Sequence, residues 1–202
     1  MMSGPELFSR PSREEINAMP LRSWSGKVQI IRTASQWHAA EVKMREDGVL
    51  GFDTETRPTF RKGKVNAPAL IQIATADTVY LTQLGWLPFG HLQAPLLADP
   101  SIIKAGVGIN DDMKALGAVF PFVPAGMVDL GKLAKNHNLP SQGLRTLAAS
   151  LFGWRISKGS QCSNWSAMQL TPRQIAYAAT DAWIGREIYI RLESLGLGEA
   201  DG

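Results

Sequence analysis

The chain has 202 residues, 45% of them hydrophobic, with a formal net charge of +3. This length suits one domain with a short extension and a real core, and the mild positive charge is compatible with an anionic partner without requiring one. The single cysteine, Cys162, excludes an internal disulfide, and no apolar run is long enough to cross a bilayer. The start lacks the apolar core of a secretory signal, so we expect a cytoplasmic protein.

The first half of the chain is predicted to be rich in strands. A polar, proline-containing extension covers residues 1–25 and is followed by a domain over 26–197 and a tail over 198–202. Thr33 and Gln36 have the spacing of a capping box, which predicts a helix that continues to about residue 46. Strands are expected at 27–32, 49–55, 68–75, 77–84 and 101–108. The connections among the three middle strands are short enough for antiparallel neighbours.

The second half is predicted to be mostly helical. One helix begins near Asn110–Asp112, and the others are expected at 131–138, 143–152 and 171–194. Strands that precede helices in this way predict an α/β fold, with a mixed β-sheet flanked by α-helices.

Two carboxylates stand at the end of an apolar strand in "GFDTETRP", residues 51–58. Side chains two positions apart on a strand point the same way, so Asp53 and Glu55 are expected to converge on one point. Burying such charges is costly without compensation. A metal ion, a salt bridge and exposure to solvent are all open explanations from this segment alone.

A third acid follows the short strand predicted at 101–108. In "VGINDDMKAL", Asn110 or Asp111 is expected to cap the next helix, which leaves Asp112 free to point elsewhere. The glycines here do not form a dinucleotide-binding loop, because Asp111 stands where the last glycine of that motif belongs.

A fourth acid lies in the last predicted helix. Tyr177 and Asp181 are four residues apart and share a face, among small alanines that allow close approach. A tyrosine bonded to a neighbour and an aspartate in solvent is the commoner fate of this spacing. Here Ile184 and Ile188 continue the same face, so an aspartate beside this apolar stripe needs a partner.

Gathered at one point, four carboxylates repel one another and suit hard divalent cations, Mg²⁺ or Mn²⁺. Two such ions can clamp the attacking and leaving oxygens of a phosphoryl displacement, and a nearby tyrosine hydroxyl can orient the water. These residues therefore indicate nuclease chemistry.

The order of these motifs resembles the DEDD superfamily of 3′–5′ exonucleases, in its tyrosine-bearing branch. The segments "GFDTET", "KAGVGINDD", "GLRTLAASLFG", "CSNWS" and "LTPRQIAYAATDAWIGREIY" are most similar to Werner-type exonuclease domains and more distantly to ribonuclease D, over roughly residues 27–195. The resemblance implies a ribonuclease H-like exonuclease fold and a metal-dependent enzyme that removes nucleoside monophosphates from the 3′ end of nucleic acid.

The resemblance also implies a role for each motif residue. Asp53 is expected to bridge two metal ions, Mg²⁺ or Mn²⁺. Glu55 and Asp181 are expected to hold the ion that activates water, and Asp112 is expected to support the second ion. Tyr177 is expected to orient the nucleophile.

Nucleic-acid contacts are expected beside the first motif and in a later loop. The loop 56–66 carries Arg57, Arg61, Lys62 and Lys64 with no acid, which suits a phosphate backbone, although a solvated loop is at least as common. Lys158 is a further candidate contact. The backbone of Thr54 is expected to approach the 3′-terminal nucleotide, as the resemblance implies.

Two neighbouring side chains are expected to be structural. Trp165 is expected in the core, although an exposed tryptophan could stack on a base. Cys162 is expected to be structural because no histidine stands near it in sequence.

The expected partner is nucleic acid, with DNA favoured over RNA because the loop and "CSNWS" segments look Werner-like; no membrane partner is expected. The alternatives are a ribonuclease D-type exoribonuclease, a non-catalytic nucleic-acid-binding module, and a phosphohydrolase of small nucleotides. The complete set of five motif residues argues against the binding module, and the basic loop argues against the small-nucleotide enzyme.

Overall fold

The computed structural model describes residues 9–59, 66–85 and 90–198. The helices in these residues are α1 (Arg13–Ala18), α2 (Ala34–Asp47), α3 (Gly90–Leu97), α4 (Ile109–Gly117), α5 (Leu130–Asn136), α6 (Leu144–Phe152) and α7 (Pro172–Ser194). The strands are β1 (Leu21–Arg22), β2 (Lys27–Ile31), β3 (Val49–Thr56), β4 (Pro68–Ala74), β5 (Thr78–Gln83), β6 (Ile103–Gly106), β7 (Met127–Asp129) and β8 (Arg155–Ile156).

Six strands form one mixed sheet in the order β2-β5-β4-β3-β6-β7. The pairs β3–β4 and β4–β5 are antiparallel, as the short connections predicted, whereas β2–β5, β3–β6 and β6–β7 are parallel. The α/β prediction, a mixed sheet with flanking helices, is therefore confirmed.

The middle of the sheet is buried on both faces. Every residue of β4 and β5 is buried, which explains the nearly continuous apolar run "PALIQIA". One face packs against α2, α3 and α4 through a core that includes Trp37, Phe52 and Met113. The other face packs against α5, α6 and α7, with Ile184 and Ile188 at its centre. The helix α7 is the longest element and begins with a capping box at Thr171, close to its expected start.

The segment before residue 26 is more structured than a polar arm. Its described part contains α1 and β1, and β1 pairs in parallel with β8 to form a separate two-stranded sheet. The backbone N–H of Trp24 also donates to the Thr180 hydroxyl of α7 at 3.0 Å. Elements of two to six residues such as these carry too few side chains to show a periodic pattern in the sequence.

The predicted cap of α4 is wrong. The N-cap is Gly108, with a left-handed φ of 76° and no side-chain capping bond. Glycine adopts this backbone conformation without strain, so no polar cap is needed to turn the chain there. The Asn110 side chain instead donates to the Asp129 carboxylate at 3.4 Å. No helix within the described ranges is both long and apolar enough to cross a membrane.

Candidate active site

Three carboxylates from two elements converge at the end of β3. Asp53 and Glu55 lie on β3, two positions apart, and Asp181 lies on α7. Each offers one oxygen, and these oxygens all lie within 4.8 Å of one another. Asp53 is half-buried, whereas Glu55 and Asp181 are buried. We call Asp53, Glu55 and Asp181 the acidic cluster; it is the convergence expected from the sequence.

A glycine lets α7 approach β3 closely enough to form the acidic cluster. A Cβ atom on Gly51 would overlap the backbone carbonyl of Ala182, the residue that follows Asp181. About one turn further along α7, Arg186 donates to the Val49 carbonyl at 2.9 Å and to Asp47 at 2.8 Å. The lack of a side chain at Gly51 and the hydrogen bonds of Arg186 together fix the position of α7 against the start of β3.

Burial raises the pKa of every carboxyl group in the acidic cluster, and repulsion by neighbouring acids adds to the shifts of Asp53 and Glu55. Burial, followed by the charges of Asp181 and Asp112, raises the pKa of Glu55 to about 8. The pKa of Asp53 is raised well above its usual value by burial and by all three neighbouring acids. Burial also raises the pKa of Asp181 to about 6, although Arg145 and a hydrogen bond with Tyr177 oppose this shift.

The acidic cluster has the properties of a cation site. The Oδ1 atom of Asp181 is buried and has no hydrogen-bond partner within the described residues. An unpartnered buried carboxylate oxygen is costly beside two further acids, and a divalent cation would remove that cost. The donor set consists only of carboxylate oxygens, which hard divalent cations prefer. The residues present therefore fit a divalent metal ion.

The fourth predicted acid stands apart from these three. Asp112 lies in the first turn of α4, and its Oδ1 accepts a hydrogen bond from the Thr54 hydroxyl at 2.5 Å. Burial raises the pKa of Asp112 to about 6, against the lowering effect of this hydrogen bond. Asp112 nevertheless lies near enough to raise the pKa values of Asp53 and Glu55. The structure thus places three acids together and the fourth beside them.

Tyr177 lies next to the acidic cluster and is held by a residue that the sequence analysis missed. Arg145, on α6, donates to the Tyr177 hydroxyl at 3.0 Å and reaches within 3.9 Å of Asp181. Its guanidinium also donates to the Ser157 carbonyl at 3.0 and 3.1 Å, which fixes its direction. Arg145 lies inside the quoted segment "GLRTLAASLFG", but a lone arginine 32 residues before Tyr177 gave no local signal.

The predicted nucleic-acid contacts are dispersed. Thr54 lines the same cavity, of about 230 Å³, as the acidic cluster and Tyr177. Arg57 is exposed and lines a different cavity, together with Trp165, while Lys158 lines a third. The remaining three predicted contacts, Arg61, Lys62 and Lys64, lie outside the described residues.

The two side chains expected to be structural differ in outcome. Trp165 is fully buried and packs against the Tyr177 ring, with 5.9 Å between centroids, so the core prediction is confirmed. Cys162 is exposed, which does not match a structural side chain.

The amino-acid sequence is similar to those of known 3′-5′ exonucleases. Residues 28–196 match a family model described as 3′-5′ exonuclease. The bifunctional 3′-5′ exonuclease/ATP-dependent helicase WRN of Mus musculus is 33% identical over 191 residues, which cover 88% of this chain and 13% of that protein. Ribonuclease D of Gluconacetobacter diazotrophicus is 31% identical over 166 residues, which cover 79% of this chain and 41% of that protein.

A solved structure gives the same fold. The crystal structure of Escherichia coli RNase D, described as an exoribonuclease involved in structured RNA processing, superposes with a TM-score of 0.71 at 27% identity. The superposition covers 84% of this chain and 46% of that one. The likeness confirms the expected ribonuclease H-like exonuclease fold. The chain spans less than half the length of each of these three relatives.

Proposed function

We propose that this chain, which belongs to the 3′–5′ exonuclease family of the DEDD superfamily, hydrolyses nucleic acid from the 3′ end and releases nucleoside monophosphates. The observation that carries this proposal is the acidic cluster. Three carboxylates converge within 4.8 Å, and one of them has a buried oxygen without a partner. An arrangement that is costly by itself and is completed by a cation suits a site that works with a metal ion bound.

The proposed cofactors are two divalent ions, Mg²⁺ or Mn²⁺. Asp53, Glu55 and Asp181 would hold them, with Asp112 in support from α4. Such ions, when bound, offset the negative charge of the scissile phosphate and make water a stronger nucleophile. Asp53 would help to hold both ions, as the resemblance implies, and burial together with the charges of Asp181, Asp112 and Glu55 raises its pKa.

The remaining residues orient the reacting groups. The Tyr177 hydroxyl lies between Arg145 and Asp181, so it can direct the attacking water at the edge of the acidic cluster. Because burial and the charge of Asp181 raise the pKa of Tyr177, this hydroxyl stays protonated and acts as a donor. Thr54 holds Asp112 through its hydroxyl, and its position in the cavity suits an approach to the terminal nucleotide.

DNA is the favoured substrate, and RNA is the alternative. The local segments that look Werner-like favour DNA, and the WRN relative matches a larger share of this chain than ribonuclease D does. The RNase D structure is that of an exoribonuclease, which supports RNA. Arg57, Arg61, Lys62, Lys64 and Lys158 are proposed as contacts to the backbone of either polymer.

Two further predictions from the sequence stay proposals. The exonuclease domain is proposed at residues 26–197, although β1 of the preceding segment pairs with β8 of this domain. A cytoplasmic location is proposed from the single cysteine, which suits a reducing compartment.

The test is a time course with 5′-labelled oligonucleotides. A DNA duplex with a recessed 3′ end and a single-stranded RNA of the same sequence are each incubated with Mg²⁺, Mn²⁺ or EDTA. We expect a ladder that shortens from the 3′ end, disappears with EDTA and develops faster on DNA. Faster shortening of the RNA would overturn the substrate preference alone. If neither polymer shortens with either ion, the proposed function is wrong.

A further inference from the structure

A large cavity beside the active site has a strongly basic lining. It has a volume of about 750 Å³, within the range of roughly 300–1,000 Å³ that is typical of ligand pockets. Its cationic lining residues are Arg10, Arg13, Arg145, Arg155 and Lys158. No carboxylate is among the lining residues that the structure describes. We call this space the basic cavity.

Most of this positive charge is uncompensated. Arg10, Arg13, Arg155 and Lys158 form no ion pair with any residue in the described ranges. The Nε atom of Arg155 is in addition buried without a hydrogen-bond partner there. Four unpaired cations around one cavity, with Arg145 as a fifth that Asp181 partly balances, produce a positive potential that attracts a polyanion.

The wall that carries Arg10 and Arg13 is held in place against the domain. The strand β1 pairs with β8, and the backbone N–H of Arg155 donates to the Pro20 carbonyl at 3.0 Å. At the other end of this wall, the Ser150 hydroxyl of α6 donates to the Ser9 carbonyl at 3.3 Å. These contacts hold both ends of residues 9–22 against the domain, so this segment forms one side of the basic cavity.

The basic cavity shares lining residues with two cavities that contain residues of the acidic cluster. Arg145 lines both the basic cavity and the cavity that holds the acidic cluster. A second cavity of about 380 Å³ shares Leu21 and Ser157 with the basic cavity and extends to Tyr177 and Asp181. Arg22 and Arg173 line this second cavity and add positive charge along the way. A strand with its 3′ end at the acidic cluster therefore meets cations along an adjoining surface.

We propose that the basic cavity binds the phosphodiester backbone of a single nucleic-acid strand, on the 5′ side of the nucleotide at the acidic cluster. The inference rests on the proposed exonuclease function and adds Arg10, Arg13 and Arg155 to the substrate site, with Lys158. A chain of phosphates suits the cations better than one small anion does, because they are spread over three separate segments, 10–13, 145 and 155–158.

The experiment compares Arg10→Ala/Arg13→Ala with a control that removes the same charge elsewhere, Lys132→Ala/Lys135→Ala. All four side chains are exposed, and neither control residue lines a described cavity. Exposed positions of this kind tolerate alanine with little change in stability, and the unfolding midpoint of each variant checks this. Binding of a 5′-labelled single strand of about 12 nucleotides is measured in EDTA by fluorescence anisotropy over a salt series.

We expect Arg10→Ala/Arg13→Ala to weaken binding roughly tenfold at low salt. The slope of log K against log salt should fall by about 1.4, that is, about 0.7 for each lost phosphate contact to a single strand. The control should keep the slope of the unmodified chain. Equal slopes for the two double variants would overturn the proposal. Competition by a nucleoside monophosphate as strong as that by the oligonucleotide would also overturn it and would indicate a site for a single small anion.

A second measurement separates this inference from the proposed function. With Mg²⁺ present, the ratio of kcat/KM for the long strand to that for a dinucleotide should fall in Arg10→Ala/Arg13→Ala and stay constant in the control. If the unmodified chain shortens the strand but this ratio and the salt slope do not change, only the basic cavity is wrongly assigned. If the unmodified chain shortens nothing, the proposed function fails, whatever the salt slopes are.

Discussion

The acidic cluster and the basic cavity lie side by side but are built in opposite ways. The acidic cluster consists of buried and half-buried side chains on a strand and a long helix, which regular packing holds together. The basic cavity has mostly exposed arginine and lysine side chains, on segments as far apart in sequence as Arg10 and Lys158. Like charges at close range demand a cation in the first region, whereas the second attracts an anion. A metal-bound phosphate chain satisfies both.

Removing one carboxylate tests the catalytic role of the acidic cluster. We expect Asp53→Asn or Asp181→Asn to lower kcat for 3′ shortening by about a thousandfold, because a lost ligand removes several kcal/mol of charge stabilisation. Asp111→Asn is the matched control, since Asp111 is exposed and adjacent to Asp112. It should stay close to the rate of the unmodified chain. Equal rates in all variants would contradict a catalytic role for the acidic cluster.

Tyr177 and Arg145 join the two regions, so their variants sharpen the comparison. We expect Tyr177→Phe to lower kcat by about a hundredfold and Arg145→Met by about tenfold, because the arginine acts partly through the tyrosine hydroxyl that it contacts at 3.0 Å. The double variant should be little worse than Tyr177→Phe alone. Losses that simply multiply would show that the two residues act independently.

The dependence of stability on pH tests the burial of carboxyl groups in the acidic cluster and the repulsion that adds to it at Glu55. Because folding raises the carboxyl pKa values, to about 8 for Glu55 and about 6 for Asp181, the folded state binds more protons than the unfolded state. The metal-free chain should therefore lose several kcal/mol of stability as pH rises from about 4 to about 8. Urea unfolding in EDTA measures this loss.

Two additions complete this test. Glu55→Gln should flatten the decline above pH 6, because it removes the group with the pKa of about 8. Saturating Mn²⁺ at pH 8 should restore stability, because the ion binds only the folded arrangement. Stability that rises with pH in EDTA would contradict the buried repulsion.

The smallest effect is expected from a variant that disturbs the close approach of α7 to β3. Gly51→Ala should lower the free energy of unfolding by about 2 kcal/mol, because its Cβ meets a backbone carbonyl that cannot rotate away. It should also lower activity by moving Asp181 from Asp53. Gly85→Ala is the control, since a Cβ there meets nothing within 4 Å among the residues that the structure describes. Equal unfolding midpoints for the two variants would show that this contact does not position α7.

Local spacing predicted which side chains of the acidic cluster share a face, although it does not determine the approach of α7 that brings Asp181 to β3. Asp53 and Glu55 share a strand face, and Tyr177 and Asp181 share a helix face, so two periodicities are enough to orient them. The strands β3, β4 and β5 were found for the same reason. Their apolar runs are long, and short connections set their antiparallel pairing.

The basic cavity and Arg145 could not be predicted in this way. Arg10 and Arg155 come together only because β1 pairs with β8, and strands of two residues leave no pattern in the sequence. Arg145 meets Tyr177 through the packing of α6 on α7, which sequence spacing does not specify. The cap of α4 was wrong because the glycine conformation at residue 108 replaced the expected side-chain bond.

The most direct test of the account is a titration with Mn²⁺, followed by electron paramagnetic resonance of the free ion, with a nucleoside monophosphate present. It compares the unmodified chain, Asp53→Asn/Asp181→Asn and Asp111→Asn. The account predicts saturable Mn²⁺ binding that the double variant loses and Asp111→Asn retains. Undiminished binding in the double variant would contradict the claim that the acidic cluster holds the catalytic metal ions.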